Sequence, residues 1–479
     1  MLSKQLTENI ATARNIFTIG RSFDYIERNL LLGGNAAYLL TINGFTETSV
    51  LQLIISDLQN ASFKEDEEIR DYRAYVNARI GYAQVEFVSD WNRIVKMVLS
   101  GTCLILLDGW EEGILLDTRT YPARGTQEPD NEKVTRGAKD GFVENFLVNT
   151  TLIRRRIRSP KLTFALHEIG TESKSDVALA YIEGCAREEL VNAVSAKLSS
   201  INITGLTMGM KTLEEMLVPK TFLHPLPNVH LTERPDVACS FLEEGYVVLI
   251  ADNSPTAMIL PVSIFQFTQS PEDYYKSPSV GNYIRIIRFL CILGSLFILP
   301  LLLLFGIHVP LPEPFSPIVT GDNGPVKLFV LVFMIEIALE LFRYSAAHAS
   351  ERFAGTVSVV GGLIIGEIAI GLEWASQEAL FYGAVTMLLT LAIPSLEFAE
   401  GIRMYRLFLS LLTGLFGVPG FLLASGLMLL SVATTPTFMK RSYLWPLIPL
   451  EMKSLMPLLF RRQACHAQPI NRFDKKQKK

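Results

Sequence analysis

Cysteine is scarce in this chain of 479 residues, and the few copies are widely scattered. Their number is odd, and the sequence contains no CxxC pair and no Cys/His cluster. Such a pattern argues against a disulfide framework and against a structural zinc site, and it fits a reducing compartment for the soluble part of the chain. The five cysteines are Cys103, Cys185, Cys239, Cys291 and Cys465.

The sequence also lacks the motifs of the common enzyme classes. It has no glycine-rich loop that could cradle a phosphate and no nucleophile motif. Histidine is rare, with six copies, and His167, His224 and His230 lack metal-binding spacing, so we interpret them as structural. We therefore predict that the protein is not an enzyme and that it uses no cofactor and no metal.

Charged residues are nearly absent from one long stretch of the chain. They are frequent up to about residue 288, scarce to about 435 and frequent again to the end. The N-terminus has no apolar core of the kind found in signal peptides. This distribution predicts an α+β soluble region of two small α/β subdomains, followed by an α-helical multi-pass membrane domain. The predicted segments are an N-terminal α/β subdomain (1–120), a connector with a basic helix (121–160), a second α/β subdomain (161–283), the membrane domain (284–435) and a basic tail with an interfacial helix (436–479).

The connector contains the basic run RRRIR, which includes Arg154, Arg155 and Arg156. Basic runs can bind nucleic acid, contact anionic lipid or form salt bridges within and between subunits. The net charge of the chain is −4, and no nucleic-acid-binding fold is indicated. We favour a structural charge network over lipid contact and expect no nucleic-acid partner.

The distribution of Lys and Arg predicts the membrane topology. Arg285 and Arg288 precede the first apolar run, where we expect contact with lipid headgroups, and 436–479 holds ten Lys or Arg against two acids. The positive-inside rule places both ends inside. A single span over 407–433 would put the tail outside. Because that run contains Gly417 and Pro419, a re-entrant hairpin is the preferred alternative.

Three glutamates interrupt the apolar runs: Glu336, Glu340 and Glu367. An ionisable group at membrane depth costs about 2.5–3.5 kcal/mol on insertion scales, so each of them needs an explanation. They could line a cation path, form a proton relay or transporter site, or be structural groups paired with Arg343 or with a Ser or Thr of a neighbouring helix. The residues alone favour the first and third alternatives equally.

One long pattern in the connector carries a resemblance to a known family. The pattern EP..EKV.RG.K.GF.E....N..LIRRRIR.P.L over 128–162 resembles the spore germination receptor A-subunits of the GerA type. TERPD (232–236), DNSPTAMILPVSIF (252–265) and PEDYY (271–275) are similar to the same family. The resemblance covers nearly the whole chain.

The resemblance implies a multi-pass protein of the spore inner membrane, with the N-terminal region on the cytosolic (core) side. It implies a homo-oligomer, a pentamer, that forms a gated channel for monovalent cations and works with germinant receptor B- and C-subunits. PSVGNYIRIIRFL (278–290), FRYSAAHA (342–349) and SYLWPLIP (442–449) are closer to a branch that amplifies germination with a different small membrane partner.

Alternatives to the channel are a non-conducting scaffold of a receptor complex and, third, a secondary transporter. The predicted ion-path residues are Glu336, Glu340 and Glu367. The predicted subunit or domain interface residues are Glu132, Arg136, Arg154, Arg155, Arg156, Glu233, Arg234 and Asp236.

Overall fold

The protein is described here from a computed structural model. The structure describes residues 1–32, 34–59, 73, 76–77, 80–81, 84–121, 128, 132, 134–218, 223–310, 324–348, 376–440 and 442–461. The chain divides into two compact units. The first comprises Met1–Pro219 and Val229–Pro261, and the second comprises Lys220–Asn228 and Val262–His466.

The N-terminal half of the first unit is a five-stranded antiparallel sheet with helices on both faces. Its elements are α1 (Leu6–Ile16), β1 (Tyr25–Leu32), β2 (Asn35–Ile42), α2 (Thr48–Gln59), β3 (Val85–Val88), α3 (Trp91–Leu99), β4 (Cys103–Leu107) and β5 (Gly113–Leu116). The strand order is β1-β2-β4-β5-β3, and every neighbouring pair is antiparallel.

Helices cover both faces of this sheet because its central strands are apolar on both faces. All five residues of β4 are buried. Leu104 and Leu106 pack with α1 and α3 on one face, whereas Cys103, Ile105 and Leu107 pack with α2 on the other. Two separate apolar clusters therefore hold the sheet between its helices.

The C-terminal half of the first unit has the same architecture. Its elements are α4 (Phe146–Arg156), β6 (Leu162–Ile169), β7 (Ser175–Ile182), α5 (Glu188–Ser199), α6 (Met210–Leu217), β8 (His230–Thr232), α7 (Pro235–Glu243), β9 (Val247–Ala251) and β10 (Ala257–Leu260). The order β6-β7-β9-β10-β8 reproduces the first sheet strand for strand.

The two halves are an internal structural repeat. The bounds of α1, β2 and α2 recur 140 residues later as those of α4, β7 and α5, with equal lengths. Asn9 binds the backbone of Ser3 through both polar atoms of its side chain, at 2.9 and 2.6 Å. Asn149 binds Val143 in the same way, at 2.8 and 2.5 Å. The sequence predicted two α/β subdomains, which the structure confirms, but not that one repeats the other.

The second unit is helical and apolar. Its elements are α8 (Glu272–Tyr275), α9 (Pro278–Leu303), a π-helical turn (Leu304–His308), α10 (Pro325–His348), α11 (Gln377–Leu391), α12 (Leu396–Thr434) and α13 (Met452–Leu459). The predicted fold class, an α/β region followed by a helical region, is confirmed. The unit also includes 220–228, whose Leu226 packs into the core formed by α9 and α12.

Helix α12 folds back on itself at Gly417. This residue has φ 64° and ψ −137°, outside the helical range. The hydroxyls of Tyr405 and Ser431 lie 2.8 Å apart, although a straight helix would separate these residues by about 39 Å. The halves 396–416 and 418–434 therefore form a hairpin, and its turn lies in the segment where the sequence predicted a reversal.

Close contact between these halves leads to a stability prediction. A Cβ atom at Gly420 would collide with the backbone carbonyl of Leu412 in the opposite half, whereas one at Gly426 would meet nothing within 4 Å. We expect Gly420→Ala to lower the free energy of unfolding by about 1–3 kcal/mol, since a backbone atom cannot give way as a flexible side chain can. Gly426→Ala is the matched control, with no loss. Thermal unfolding of the full chain in detergent measures both, and equal melting temperatures would contradict the hairpin geometry.

Candidate functional site

The interior of the helical unit contains a buried ion pair. Glu336 of α10 accepts hydrogen bonds from Nε and Nη2 of Arg406 of α12, at 2.5 and 2.6 Å. The two side chains are only 4% and 3% exposed. Arg406 also donates to the carbonyl of Ser295 of α9 (3.1 Å) and to the hydroxyl of Thr390 of α11 (3.3 Å). One guanidinium therefore connects four helices.

A second network lies one turn along the same helices and is half-exposed. Arg343 donates to Glu340 at 2.5 Å and to Glu400 at 3.0 Å. Arg403 lies 3.5 Å from each of these glutamates. Two acids and two bases alternate here, with both acids 51% exposed. The network is neutral in sum, but its carboxylates face outward from the unit.

The predicted ion-path residues thus occupy different environments. Glu336 and Glu340 are four residues apart on α10, yet only Glu340 is half-exposed. Both oxygens of Glu336 are taken by Arg406, so its charge is compensated within the chain. Arg343, which the sequence suggested as a partner, binds Glu340 rather than Glu336. Glu367 lies outside the described residues.

The base of α9 differs from the sequence expectation. Arg285 and Arg288 were expected to contact headgroups, but both are buried and both bind the carboxylate of Asp273. Burial alone would raise the pKa of Asp273, but hydrogen bonds and charge from Arg288 and Arg285 outweigh it and hold that pKa below its usual range. Arg285 also donates to the carbonyls of Pro457 and Leu458, so this cluster anchors α13.

The first three arginines of the connector's basic run have three different partners. Arg154 is buried and donates to Asp24 at 2.7 and 3.1 Å, joining the two α/β subdomains. Arg155 stacks over the ring of Tyr121, with its guanidinium carbon 4.5 Å from the centroid. Arg156 donates to both carboxylate oxygens of Asp140, at 2.5 and 2.6 Å.

Another group of predicted interface residues meets at the start of α7. Glu132 accepts hydrogen bonds from the Thr232 hydroxyl and from the backbone N–H of Glu233, each at 2.8 Å. Arg234 is buried and donates to the carbonyl of Glu132 and to the carboxylate of Asp236. The connector is thereby tied to the TERPD segment inside one unit. The fifth predicted residue of the group, Arg136, is exposed.

The carboxyl of Glu132 makes folding stability depend on pH. Burial raises its pKa to about 7, although the hydrogen bonds from Glu233 and Thr232 oppose the rise. Between the ordinary value of 4.5 and about 7, the folded state binds a proton that the unfolded state lacks. Stability from this group must therefore fall as the pH rises through that window and stay constant above it.

A variant that cannot ionise at position 132 should not lose stability as the pH rises. We expect Glu132→Gln to keep the accepting oxygen and to be more stable than the wild type at pH 8 by about 1–3 kcal/mol, with the gain vanishing toward pH 4.5. Melting temperatures of both proteins between pH 4.5 and 8 measure it. Glu128→Gln is the control. A hydrogen bond from the backbone N–H of Val134 lowers the pKa of Glu128, so Glu128 does not take up a proton on folding in this pH range. A wild-type-to-variant difference that is flat across this range would contradict the assignment.

The part of the chain that the structure describes offers no metal site. No group of three or more His, Cys, Asp or Glu is arranged to hold an ion within it. Burial lowers the pKa of His230 to about 4, so this residue is neutral at physiological pH.

The sequence identified charged candidate residues but not the oppositely charged residues that pair with them. Arg406 was not among the candidate residues, although an arginine next to an apolar run can pair with a buried acid elsewhere. Asp24 and Asp273 carried no local signal, because each lies in a loop or short helix and meets its arginine only in the folded unit.

Fold and site together define a class of protein. Within the residues that the structure describes, two helical segments are long and apolar enough to cross a membrane: Pro278–His308 and Leu396–Thr434, the second of which is folded at Gly417. The chain is a membrane-associated protein with a duplicated α/β region and a helical region whose interior holds paired charges.

The chain belongs to the Bacillus/Clostridium GerA spore germination protein family, whose profile matches residues 13–472. It is similar to stage V sporulation protein AF of Bacillus subtilis, with 34% identity over 94% of this chain and 90% of that protein. It is also similar to spore germination protein B1 of the same organism, with 30% identity over 85% of this chain and 84% of the relative. The family resemblance found in the sequence is confirmed, and the chain has a role in spore germination.

Among solved structures, the N-terminal domain of the A subunit of the Bacillus megaterium spore germinant receptor GerK3 matches 54% of this chain and 95% of its own length. The identity is 25% and the TM-score is 0.41.

Proposed function

We propose that the chain is a membrane subunit that oligomerises, as a pentamer, into a gated channel for monovalent cations in the spore inner membrane. The observation that carries the proposal is the half-exposed network in which Glu340 of α10 and Glu400 of α12 pair with Arg343 and Arg403. Repeated around a ring of copies, such acids would form the kind of charged ring that selects cations. The N-terminal α/β region lies on the cytosolic (core) side.

Gating in this proposal involves the charge partners of the outward-facing acids. Arg343 and Arg403 compensate Glu340 and Glu400 in the present arrangement. A conformational change that moves either arginine away would expose negative charge to the path. Glu336 plays no direct part, since Arg406 holds both of its oxygens, and it remains a structural group.

The α12 hairpin enters and leaves the membrane from the same side. From Leu407 to the turn at Gly417, the first half has no charged residue over about 15 Å, which is roughly half the thickness of the hydrocarbon core. Non-helical backbone is tolerated at that depth when it is buried in protein. A re-entrant hairpin returns residues 436–479 to the inner side, as their basic character favours.

The partner follows from which branch of the family the chain resembles. The similarity to stage V sporulation protein AF supports the amplifying branch, and hence a small membrane partner protein rather than receptor B- and C-subunits.

Reconstitution into liposomes tests the proposal. The purified full chain, with and without its partner, should release potassium, and Glu340→Gln should change the ratio of potassium to chloride flux. Glu86→Gln is the matched control, because Glu86 forms an exposed pair with Arg93 in the α/β region. Absence of potassium flux under both conditions would overturn the channel proposal.

A non-conducting scaffold is the second candidate function. It is favoured by the compensated interior, where the arginine at the centre of the four helices serves only to join them. In that case Glu340→Gln would leave germination speed unchanged once protein levels are matched, and Arg406 variants would lower the amount of assembled complex.

A further inference from the structure

The first half of the α12 hairpin carries a polar stripe on its buried face. Arg406, Ser410, Thr413 and Gly417 recur at helical spacing and are all buried. The side chains of Ser410 and Thr413 are fully buried, at 0% exposure. Within the described part of the chain, neither hydroxyl has a hydrogen-bond partner. The stripe leads from the Glu336–Arg406 pair to the turn of the hairpin.

Other buried threonines of the same unit behave differently. On α11, the hydroxyl of Thr386 donates to the carbonyl of Tyr382 at 2.7 Å, and that of Thr390 donates to Thr386 at 2.8 Å. This is the ordinary way in which a helix satisfies a buried hydroxyl. A buried hydroxyl without a partner costs about 1–3 kcal/mol, so those of Ser410 and Thr413 point to a ligand that the protein alone does not supply.

The end of the half-helix contributes further oxygens about one turn beyond Thr413. A helix that stops at Gly417 leaves the carbonyls of its last turn without their usual donors. Pro419 has no N–H to offer the carbonyl of Leu415. His308 approaches the carbonyl of Gly414 at 3.1 Å, which satisfies one of them. These oxygens form the negative end of the helix dipole, which favours a cation over an anion.

We propose that the hydroxyls of Ser410 and Thr413 bind a dehydrated monovalent alkali cation, close to the negative end of this half-helix. Neutral oxygen ligands suit a monovalent ion, whereas divalent cations prefer carboxylates. The nearest carboxylate along the stripe, Glu336, is engaged by Arg406. The inference rests on the proposed ion-conducting function and identifies a binding site for the conducted ion.

Thermal unfolding of the full chain in detergent tests the site without any flux measurement. Melting temperatures are compared in potassium chloride and in choline chloride of equal ionic strength. The wild type should be stabilised by potassium, and the isosteric double variant Ser410→Ala/Thr413→Val should need about tenfold more potassium for half of the effect. The double variant should also melt higher than the wild type in choline, because two unpartnered hydroxyls are gone.

Thr386→Val is the matched control, since it removes a buried hydroxyl that has a partner. It should lower the melting temperature equally in both salts and leave the potassium dependence unchanged. A wild-type melting temperature that is the same in potassium and choline would overturn the site, and a trapped water in place of the ion would give that result. If the wild type conducts potassium but the double variant keeps the same potassium dependence of melting, the binding site is wrong and the channel stands. If melting depends on potassium but no flux is found, the binding site stands and the channel is wrong.

Discussion

Replacing Arg406 with methionine is expected to lower the free energy of unfolding by about 3–5 kcal/mol, because it leaves the carboxylate of Glu336 buried without a compensating charge. The same change removes the hydrogen bonds to Ser295 and Thr390, and with them a group that connects four helices. The loss should appear as a lower melting temperature of the full chain in detergent and as less assembled protein in the membrane.

Two further variants separate the ion pair from simple loss of packing. The double variant Glu336→Leu/Arg406→Met removes both charges and should recover most of the stability, since a buried ion pair replaced by apolar groups is often neutral or stabilising. Arg343→Gln in the half-exposed network should cost only about 0–1 kcal/mol. A double variant as unstable as Arg406→Met alone would show that Glu336 is not the reason for the loss.

The element types in the α/β region followed from hydrophobic pattern, but the repeat did not. Helices such as α3 and α5 have apolar positions at helical spacing, and β4 and β9 are short apolar runs. The repeat is hard to detect along the sequence because most equivalent positions hold different residues, with Asn9 and Asn149 as an exception. The offset also grows from 140 residues at α2 and α5 to 144 at β4 and β9. Strand order, the recurring bounds of the elements and the Asn9 and Asn149 contacts make the repeat evident.

The charged residues of the helical unit show a different limit of sequence reasoning. The cost of an isolated carboxylate in an apolar run correctly marked Glu336 as needing an explanation. The explanation, however, lies 70 residues away at Arg406, and no local spacing encodes such a pairing. Arg285 and Arg288 were likewise expected to contact headgroups, because their charge partner Asp273 lies in a short helix outside the apolar run.

The joint between the two α/β subdomains gives the second large expected effect. Arg154→Met should lower the free energy of unfolding of the α/β region by about 3–5 kcal/mol, because Asp24 would stay buried without its partner. Arg154 also donates to the carbonyls of Ser159 and Leu162. Its guanidinium lies over the ring of Tyr25, 5.1 Å from the centroid. Hydrogen exchange of the full chain should show faster exchange in both sheets.

Arg21→Gln is the control that isolates burial, because Arg21 and Glu183 also link the two subdomains at 3.3 Å. Arg21 is 72% exposed, so water already solvates the charge and the loss should be about 0–1 kcal/mol. If the two variants lowered stability equally, the joint would depend on the number of links between the subdomains. A large difference would show that it depends on one desolvated pair, so that each repeat needs the other to neutralise a charge it has buried.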